Sequence, residues 1–326
     1  MTITITGRAR ANANIALIKY WGKRAAELNL PAVGSISMTL KDLHSDTQVS
    51  FDAAGSADQF VLNGELAKPM LPRVTQQLDL LRQLAGIDHR AQVVSHNNFP
   101  TGAGLASSAS GFAALTAAAA QALQLDLTPR KLSQLARQGS ASAARSVFGG
   151  FVELHRGMRD DGEDCYAEPL LEADAWPLEV VVAVTDAAQK SVGSREGMLA
   201  SAQSPYFTSW ITSSDADLQV GRHAIVGQDF AALATVAEAS CLKMHGLMLA
   251  TAPGLMYWRG ATLECLHEIR ALRDAGTGVF FTVDAGPQVK AVCEPGTAER
   301  VRQVLAAVPG VTETWVSALG AGIEYP

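Results

Sequence analysis

The sequence contains no CxxC pair. Its four cysteines, Cys165, Cys241, Cys265 and Cys293, stand far apart, which speaks against a zinc site or a disulfide framework and for reduced, buried thiols in a cytosolic protein. The seven histidines show no HxxxH or HExxH spacing, so a helical metal pair is not expected. No run approaches the roughly 20 apolar residues of a membrane span. The first residues, MTITITGRARANANIALIKYWGKR, lack the continuous apolar segment of a signal peptide. The chain is therefore expected to be soluble and cytoplasmic, with no membrane partner. An excess of positive charge is also missing. The formal net charge of −6 argues against a general nucleic-acid binder, while anionic small molecules stay open because a local cluster of cations outvotes the average.

What the chain does have is a large apolar fraction, 48% of 326 residues, enough for one large domain or two ordinary ones. Residues 2–6 alternate as a half-buried strand does, and 14–20 read as a second strand. TQVSFD (47–52) and DQFVLNG (58–64), separated by the turn-rich DAAGSA, read as a hairpin. Leu71, Val74, Leu78, Leu81 and Leu84 line one side of a helix over 70–85, and 91–97 read as a strand. Helices are expected at 105–123, 130–138 and 142–148, then a strand at 151–156 and a polar surface loop over 157–177. The second half reads as strand 177–186, helices near 191–203, 215–226, 229–249 and 259–275, strands 278–284 and 289–294, helix 297–307 and strand 311–318. That order fits a split β-α-β, ferredoxin-like sandwich. The first half is mixed α+β.

The stretch HNNFPTGAGLASSASGFAAL, residues 96–115, runs from a polar turn through glycines into a small-residue helix. It is neither a P-loop, because Gly104 is followed by Leu105 and the loop holds no lysine, nor GxGxxG, because Ser107 takes the third place. Its physical logic still suits an anion. Gly102 and Gly104 let the backbone approach a ligand, and the first amides of the following helix point back at the loop. Ser107 and Ser108 add hydroxyls for phosphate oxygens or Mg²⁺. A tight turn with a closely packed helix satisfies the same pattern.

Four further segments share that character. IKYWGKR places Lys19, Lys23 and Arg24 beside Tyr20 and Trp21 at a strand end. GSASAARSVFGG sets Ser140, Ser142 and Arg145 among small residues, where an arginine can fork onto a carboxylate or phosphate. DAAQKSVGSREGM brings Lys190, Ser194 and Arg195 to a strand-to-helix junction. FFTVDAGP ends an apolar strand on Asp284, a residue that in such a place is a turn former or a base. Together they suit a polyanionic substrate used with a nucleoside triphosphate.

NIALIKYWGKR, SISMTL, FPTGAGLASSAS, GSASAARSVFGGF, GSREGM and FTVDAGP, in this order from about residue 12 to 290, resemble the successive motifs of the diphosphomevalonate decarboxylases. These belong to the galactokinase, homoserine kinase, mevalonate kinase and phosphomevalonate kinase superfamily. The resemblance implies an α+β, two-domain fold of the small-molecule kinases. A ribosomal-protein-S5-like domain would span 1–180 and a ferredoxin-like α/β sandwich 181–326, with ligands in the cleft between them and a homodimer as the usual assembly. It implies ATP-dependent decarboxylation of mevalonate 5-diphosphate to isopentenyl diphosphate, with Mg²⁺. The catalytic aspartate falls on Asp284, its lysine on Lys19 and the carboxylate-binding arginine on Arg145. Substrate contacts fall on Tyr20, Lys23, Ser140, Arg145, Ser194 and Arg195. The ATP-phosphate loop falls on Pro100, Gly102, Gly104, Leu105, Ala106, Ser107, Ser108 and Ser110, with Ser108 as a hydroxyl toward magnesium. Two positions depart from the family pattern: Gly193-Ser194 stands where paired serines often precede the arginine, and Ala141 stands where GSGS has glycine.

The implied chemistry explains the residue types. A 3-hydroxy acid has no carbonyl β to its carboxylate to take the electrons of decarboxylation. Phosphorylating the tertiary hydroxyl supplies a leaving group, whose departure leaves cationic character at C3 for the carboxylate's electrons to fill. A carboxylate to orient the hydroxyl, a lysine to keep it ionised and an arginine to hold the substrate carboxylate are what this route needs. A kinase that stops at the 3-phosphate, a decarboxylase of mevalonate 5-phosphate and a non-catalytic metabolite sensor are the alternatives; Lys19, Asp284 and Arg145 together favour decarboxylation.

Overall fold

The computed structural model describes residues 4–99, 107–186 and 191–326. Strand β1 (Thr4–Ile18) is one strand of 15 residues, not the two expected. Its outer half alternates, but from Ala11 onward every residue is buried, because both faces of the sheet are covered there; alternation marks a strand only while one face meets water. A short pair, β2 (Lys23–Ala25) and β3 (Leu30–Pro31), leads to β4 (Ser35–Asp52), which runs antiparallel to β1 with Thr4 opposite Asp52 and Ile18 opposite Ile36.

Strands β5 (Gln59–Leu62) and β6 (Glu65–Leu66) close on Asn63-Gly64, both at positive φ, the two-residue turn that matches strand twist. Helix α1 (Leu71–Ala85) then crosses to β7 (Arg90–Asn97), which pairs parallel with β5 and antiparallel with β4. The expected hairpin of 47–52 with 58–64 is therefore not formed. β7 lies between the two segments, since a crossover helix returns the chain parallel to its starting strand.

Helix α2 (Ser107–Ala122) is buried along almost its whole length. Its alanines let it press on β1: a Cβ at Gly7 would lie 2.2 Å from the Ala118 carbonyl oxygen. Helix α3 (Pro129–Gly139) is capped by Thr128, whose hydroxyl accepts from the Lys131 amide. A 3₁₀ helix, Ala141–Val147, leads to β8 (Phe151–Leu154). β9 (Ala167–Leu171) lies inside the expected loop and pairs with β8. Its position at the edge of the sheet tolerates Pro169 and exposed polar residues, which is why it does not look like a strand. The sheet order is β6-β5-β7-β4-β8-β9, with β1 on β4.

The second sheet begins with β10 (Glu179–Val184). Four helices follow: α4 (Ser194–Ser201), α5 (Phe207–Val226), α6 (Phe230–Leu249) and α7 (Gly260–Asp274). Then come β11 (Val279–Val283), β12 (Val289–Cys293), α8 (Ala298–Ala306) and β13 (Glu313–Ala318). The order β11-β12-β10-β13, antiparallel throughout, is the expected ferredoxin-like arrangement. One face, with Val181, Ala183 and Phe281, packs on α7 and α8. The other, with Val180, Val182 and Phe280, joins α5, α6 and residues of the first sheet such as Ile15, Leu17 and Met38 in one apolar cluster. Past β13 the chain returns to the first sheet, where Leu319 bridges to Leu40 and Glu324 to Arg10.

Candidate active site

The inner end of β1, the start of α2, the 3₁₀ helix, the start of α4 and the turn after β11 converge on a cleft of about 340 Å³. Lys19, Tyr20, Lys23, Ser107, Ser108, Ser140, Arg145, Ser194, Arg195 and Asp284 all line it. Pro100, Gly102, Gly104, Leu105, Ala106 and Lys190 lie outside the described residues. Ser110 stands apart from the cleft. It is fully buried, with its hydroxyl 2.7 Å from that of Ser45, because two residues along a helix turn a side chain to the opposite face.

Asp284 follows β11, whose five residues are all buried, and its carbonyl accepts from the Gly286 amide at 2.7 Å, which tightens the turn. Lys19 Nζ donates to Asp284 Oδ1 at 2.7 Å and to the Ala16 carbonyl at 2.8 Å. Lys290 Nζ lies 3.4 Å from Oδ2. Burial pushes the carboxyl up, but Lys19, Lys290 and Arg145 outweigh it and hold Asp284 well below the usual carboxylate range. It is ionised at neutral pH.

Arg145 is buried on the 3₁₀ helix. Its Nη1 donates to Ser35 Oγ at 2.6 Å, and Nε and Nη2 donate to Asn14 Oδ1. Asn14 is itself fixed, its Nδ2 donating to Ser146 Oγ and the Ser142 carbonyl. Burial lowers the Arg145 guanidinium to about 10, with Asp284 and Tyr20 acting in the opposite direction, so it remains a cation at neutral pH.

At the other end of the cleft Lys23 donates to Asn29 Oδ1. Burial, then Arg195 and Arg73, lower its ammonium to about 8. Arg73 comes from α1, donates to the Gly139 carbonyl at 2.9 Å and stands over the Phe112 ring. Trp21 ties α4 to this end: its indole donates to Ser201 Oγ at 2.8 Å, and its carbonyl accepts from Trp210. A smaller apolar pocket, walled by Phe60, Leu62, Met70, Val74, Val93 and Phe112 with Thr47, Ser95 and Asn97 at its edge, shares Ser107 and Ser108 with the cleft.

Residues 11–167 match the diphosphomevalonate decarboxylase-like N-terminal domain, and residues 180–320 match the mevalonate 5-diphosphate decarboxylase C-terminal domain. The chain belongs to the diphosphomevalonate decarboxylase family. It is 38% identical to the diphosphomevalonate decarboxylase mvd1 of Aspergillus fumigatus over 85% of this chain and 74% of that protein. It is 33% identical to a phosphomevalonate decarboxylase of Haloferax volcanii over 94% of each. A solved structure described as MDDEF in complex with MVAPP, AMPPCP and magnesium superposes with a TM-score of 0.92, at 40% identity over 99% of both chains.

Against this family the departure at Ala141 lies in the cleft wall, buried beside Ser140 and Ser142. Among the described residues no three His, Cys, Asp or Glu side chains come together as metal ligands. The oxygen groups that line the cleft, among them those of Ser107, Ser108 and Asp284, fit a hard cation such as magnesium. Asn14, Arg73 and Lys290 were missed by the sequence reading. Asn14 inside NANIALIKY and Lys290 inside VKAVC, each polar and flanked by apolar residues, are signals the sequence carries; Arg73 has no local pattern of this kind.

Proposed function

We propose that this chain catalyses the ATP-dependent decarboxylation of mevalonate 5-diphosphate to isopentenyl diphosphate. The observation that carries the reading is Asp284 between Lys19 and Lys290, with Arg145 in the same cleft as Ser107 and Ser108. The bound set of MVAPP, AMPPCP and magnesium in a structural relative supports the choice of ligands. Asp284 accepts the C3 hydroxyl's hydrogen bond and aims its oxygen at the γ-phosphoryl group. Arg145 holds the substrate carboxylate without protonating it, since it stays a cation up to about pH 10. Tyr20, Lys23, Ser140, Ser194 and Arg195 take the diphosphate, and Arg73 joins them.

Ser107 and Ser108 hold phosphate oxygens of ATP, and the apolar pocket beside them takes the base. Ser108 would offer its hydroxyl to a magnesium ion brought with ATP, which would supply neutralisation of the phosphate charge. The C3 oxygen gains the γ-phosphoryl group and ADP is released; phosphate and CO₂ then leave and the C=C bond forms. The division at residue 180, the homodimer and the cytoplasmic location belong to the same proposal. Four buried free thiols favour the last, and light scattering after gel filtration reads the assembly. Mixing protein, Mg-ATP and mevalonate 5-diphosphate should give CO₂, ADP and phosphate in equal amounts. ADP without CO₂ would overturn the decarboxylase in favour of a kinase, and equal use of mevalonate 5-phosphate would overturn the diphosphate preference.

A further inference from the structure

Lys290 is a lysine in the middle of a strand whose other residues, Val289, Ala291, Val292 and Cys293, are all buried and apolar. It lies opposite Thr282 of β11 on one side and Val182 of β10 on the other, and is 1% exposed. A buried ammonium costs several kcal/mol unless it is paired, so the fold tolerates this one only for a partner. Asp284 Oδ2, 3.4 Å away, is one such partner. The oxygen is buried and makes no hydrogen bond, whereas Oδ1 takes one from Lys19. Lys19, likewise 1% exposed, arrives from β1, in the other half of the chain.

We propose that Lys290 is a positioning residue for phosphoryl transfer: with Lys19 it holds both oxygens of Asp284, fixing the carboxylate plane toward the C3 hydroxyl. The inference rests on the decarboxylase reading given above. A single ammonium on Oδ1 leaves the carboxylate free to rotate about its Cβ–Cγ bond. A second charge on Oδ2, delivered by a separate strand, removes that freedom. It also leaves three buried cations, Lys19, Lys290 and Arg145, around one carboxylate. This surplus is in place before substrate arrives and faces the negative charge of the γ-phosphoryl group and the substrate carboxylate.

Among the groups facing Asp284, burial lowers the ammonium of Lys290 itself, with Asp284 acting in the opposite direction. Burial pushes Tyr20 and Cys241 up and lowers His245 to about 3, and Arg145 is held at about 10. The phosphates of both substrates titrate near neutral pH as well, so only a difference between wild type and variant on the same substrates reports Asp284. Removing Lys290 takes away one of the charges that depress the Asp284 carboxyl, which should rise toward the ordinary carboxylate range.

The experiment compares full-length wild type, Lys290→Met and Lys290→Arg by melting temperature, by KM for mevalonate 5-diphosphate and by kcat for both ADP and CO₂ from about pH 4.5 to 8. Lys290→Met should lose about 10- to 100-fold in kcat, keep its KM within about twofold and lose activity toward about pH 4.5, where wild type does not. Lys290→Arg, which keeps the charge, should keep the wild-type pH profile. A folded Lys290→Met with wild-type kcat, or with lowered kcat and the wild-type pH profile, overturns the proposal. If Lys290→Met does not fold, Lys290→Gln takes its place in the same comparison, with the same outcomes for and against the proposal. Wild type that forms ADP without CO₂ sinks the decarboxylase reading but leaves this comparison intact on ADP; no ADP at all overturns both.

Discussion

Asn14 Oδ1 accepts hydrogen bonds from two nitrogens of Arg145, Nε at 3.2 Å and Nη2 at 3.0 Å. The guanidinium is thereby held by a neutral acceptor, and its positive charge stays available to an incoming carboxylate. Arg145→Met should fold but melt below wild type, because buried Asn14 Oδ1 loses both of the donors it takes from Arg145. Turnover should fall by roughly 10²–10³ through loss of a preorganised charge, with KM for ATP unchanged. Steady-state kinetics beside thermal melting tests this, and wild-type turnover in the variant would remove Arg145 from the reaction.

Asp284→Asn keeps the shape of the side chain and removes its charge. We expect kcat to drop by on the order of 10²–10⁴, the range for a positioned acid–base group, with nucleotide affinity nearly unchanged. The melting temperature should fall as well, because two buried ammonium groups lose their counter-charge. A less stable but fully active variant would leave Asp284 as a turn former alone. Turnover, nucleotide titration and melting on one preparation separate these outcomes.

Lys23 gives a prediction in alkali. Its ammonium is lowered to about 8, so in the free protein it is charged below that pH and neutral above it. A diphosphate binds the charged form. The ratio kcat/KM for mevalonate 5-diphosphate should therefore fall as pH rises through about 8, while kcat, measured on the complex, stays flat. Lys23→Met should start lower and lose this limb. An unchanged limb in the variant would assign it elsewhere.

Gly111 offers a test of the nucleotide pocket. It lines the apolar pocket from α2, and an added Cβ would meet nothing closer than Ser45 Oγ at 4.0 Å. Gly111→Leu should thus be accommodated by the helix and gain up to about 0.8 kcal/mol in helix propensity. The new side chain fills the pocket, so KM for ATP should rise at least about tenfold while KM for mevalonate 5-diphosphate holds. Isothermal titration with AMPPCP reads the effect directly, and unimpaired binding would place the base elsewhere.

The parts legible in the sequence are those with local cause. FFTVDAGP shows a buried strand meeting a tight turn, and the paired serines open a small-residue helix whatever the distant chain does. The order of elements in the second half likewise follows from local periodicity, and the ferredoxin-like sheet forms from it. What could not be read depends on distant partners. The parallel pairing of β5 with β7 is decided by a crossover helix, and β9 is a strand only because β8 offers it an edge. Arg73 carries no motif; its meaning comes from Gly139 and Phe112, far away in sequence.

The return of the chain to its first sheet bears on how the protein is made. Glu324 exchanges backbone hydrogen bonds with Arg10, and Gly320 with Thr39 and Gly150. During synthesis the first sheet emerges early, yet these bonds wait for residues beyond β13. Nascent chains that stop short of residue 319 should hold the N-terminal half in an incomplete state, with the flank of β1 and β4 uncovered and available to chaperones.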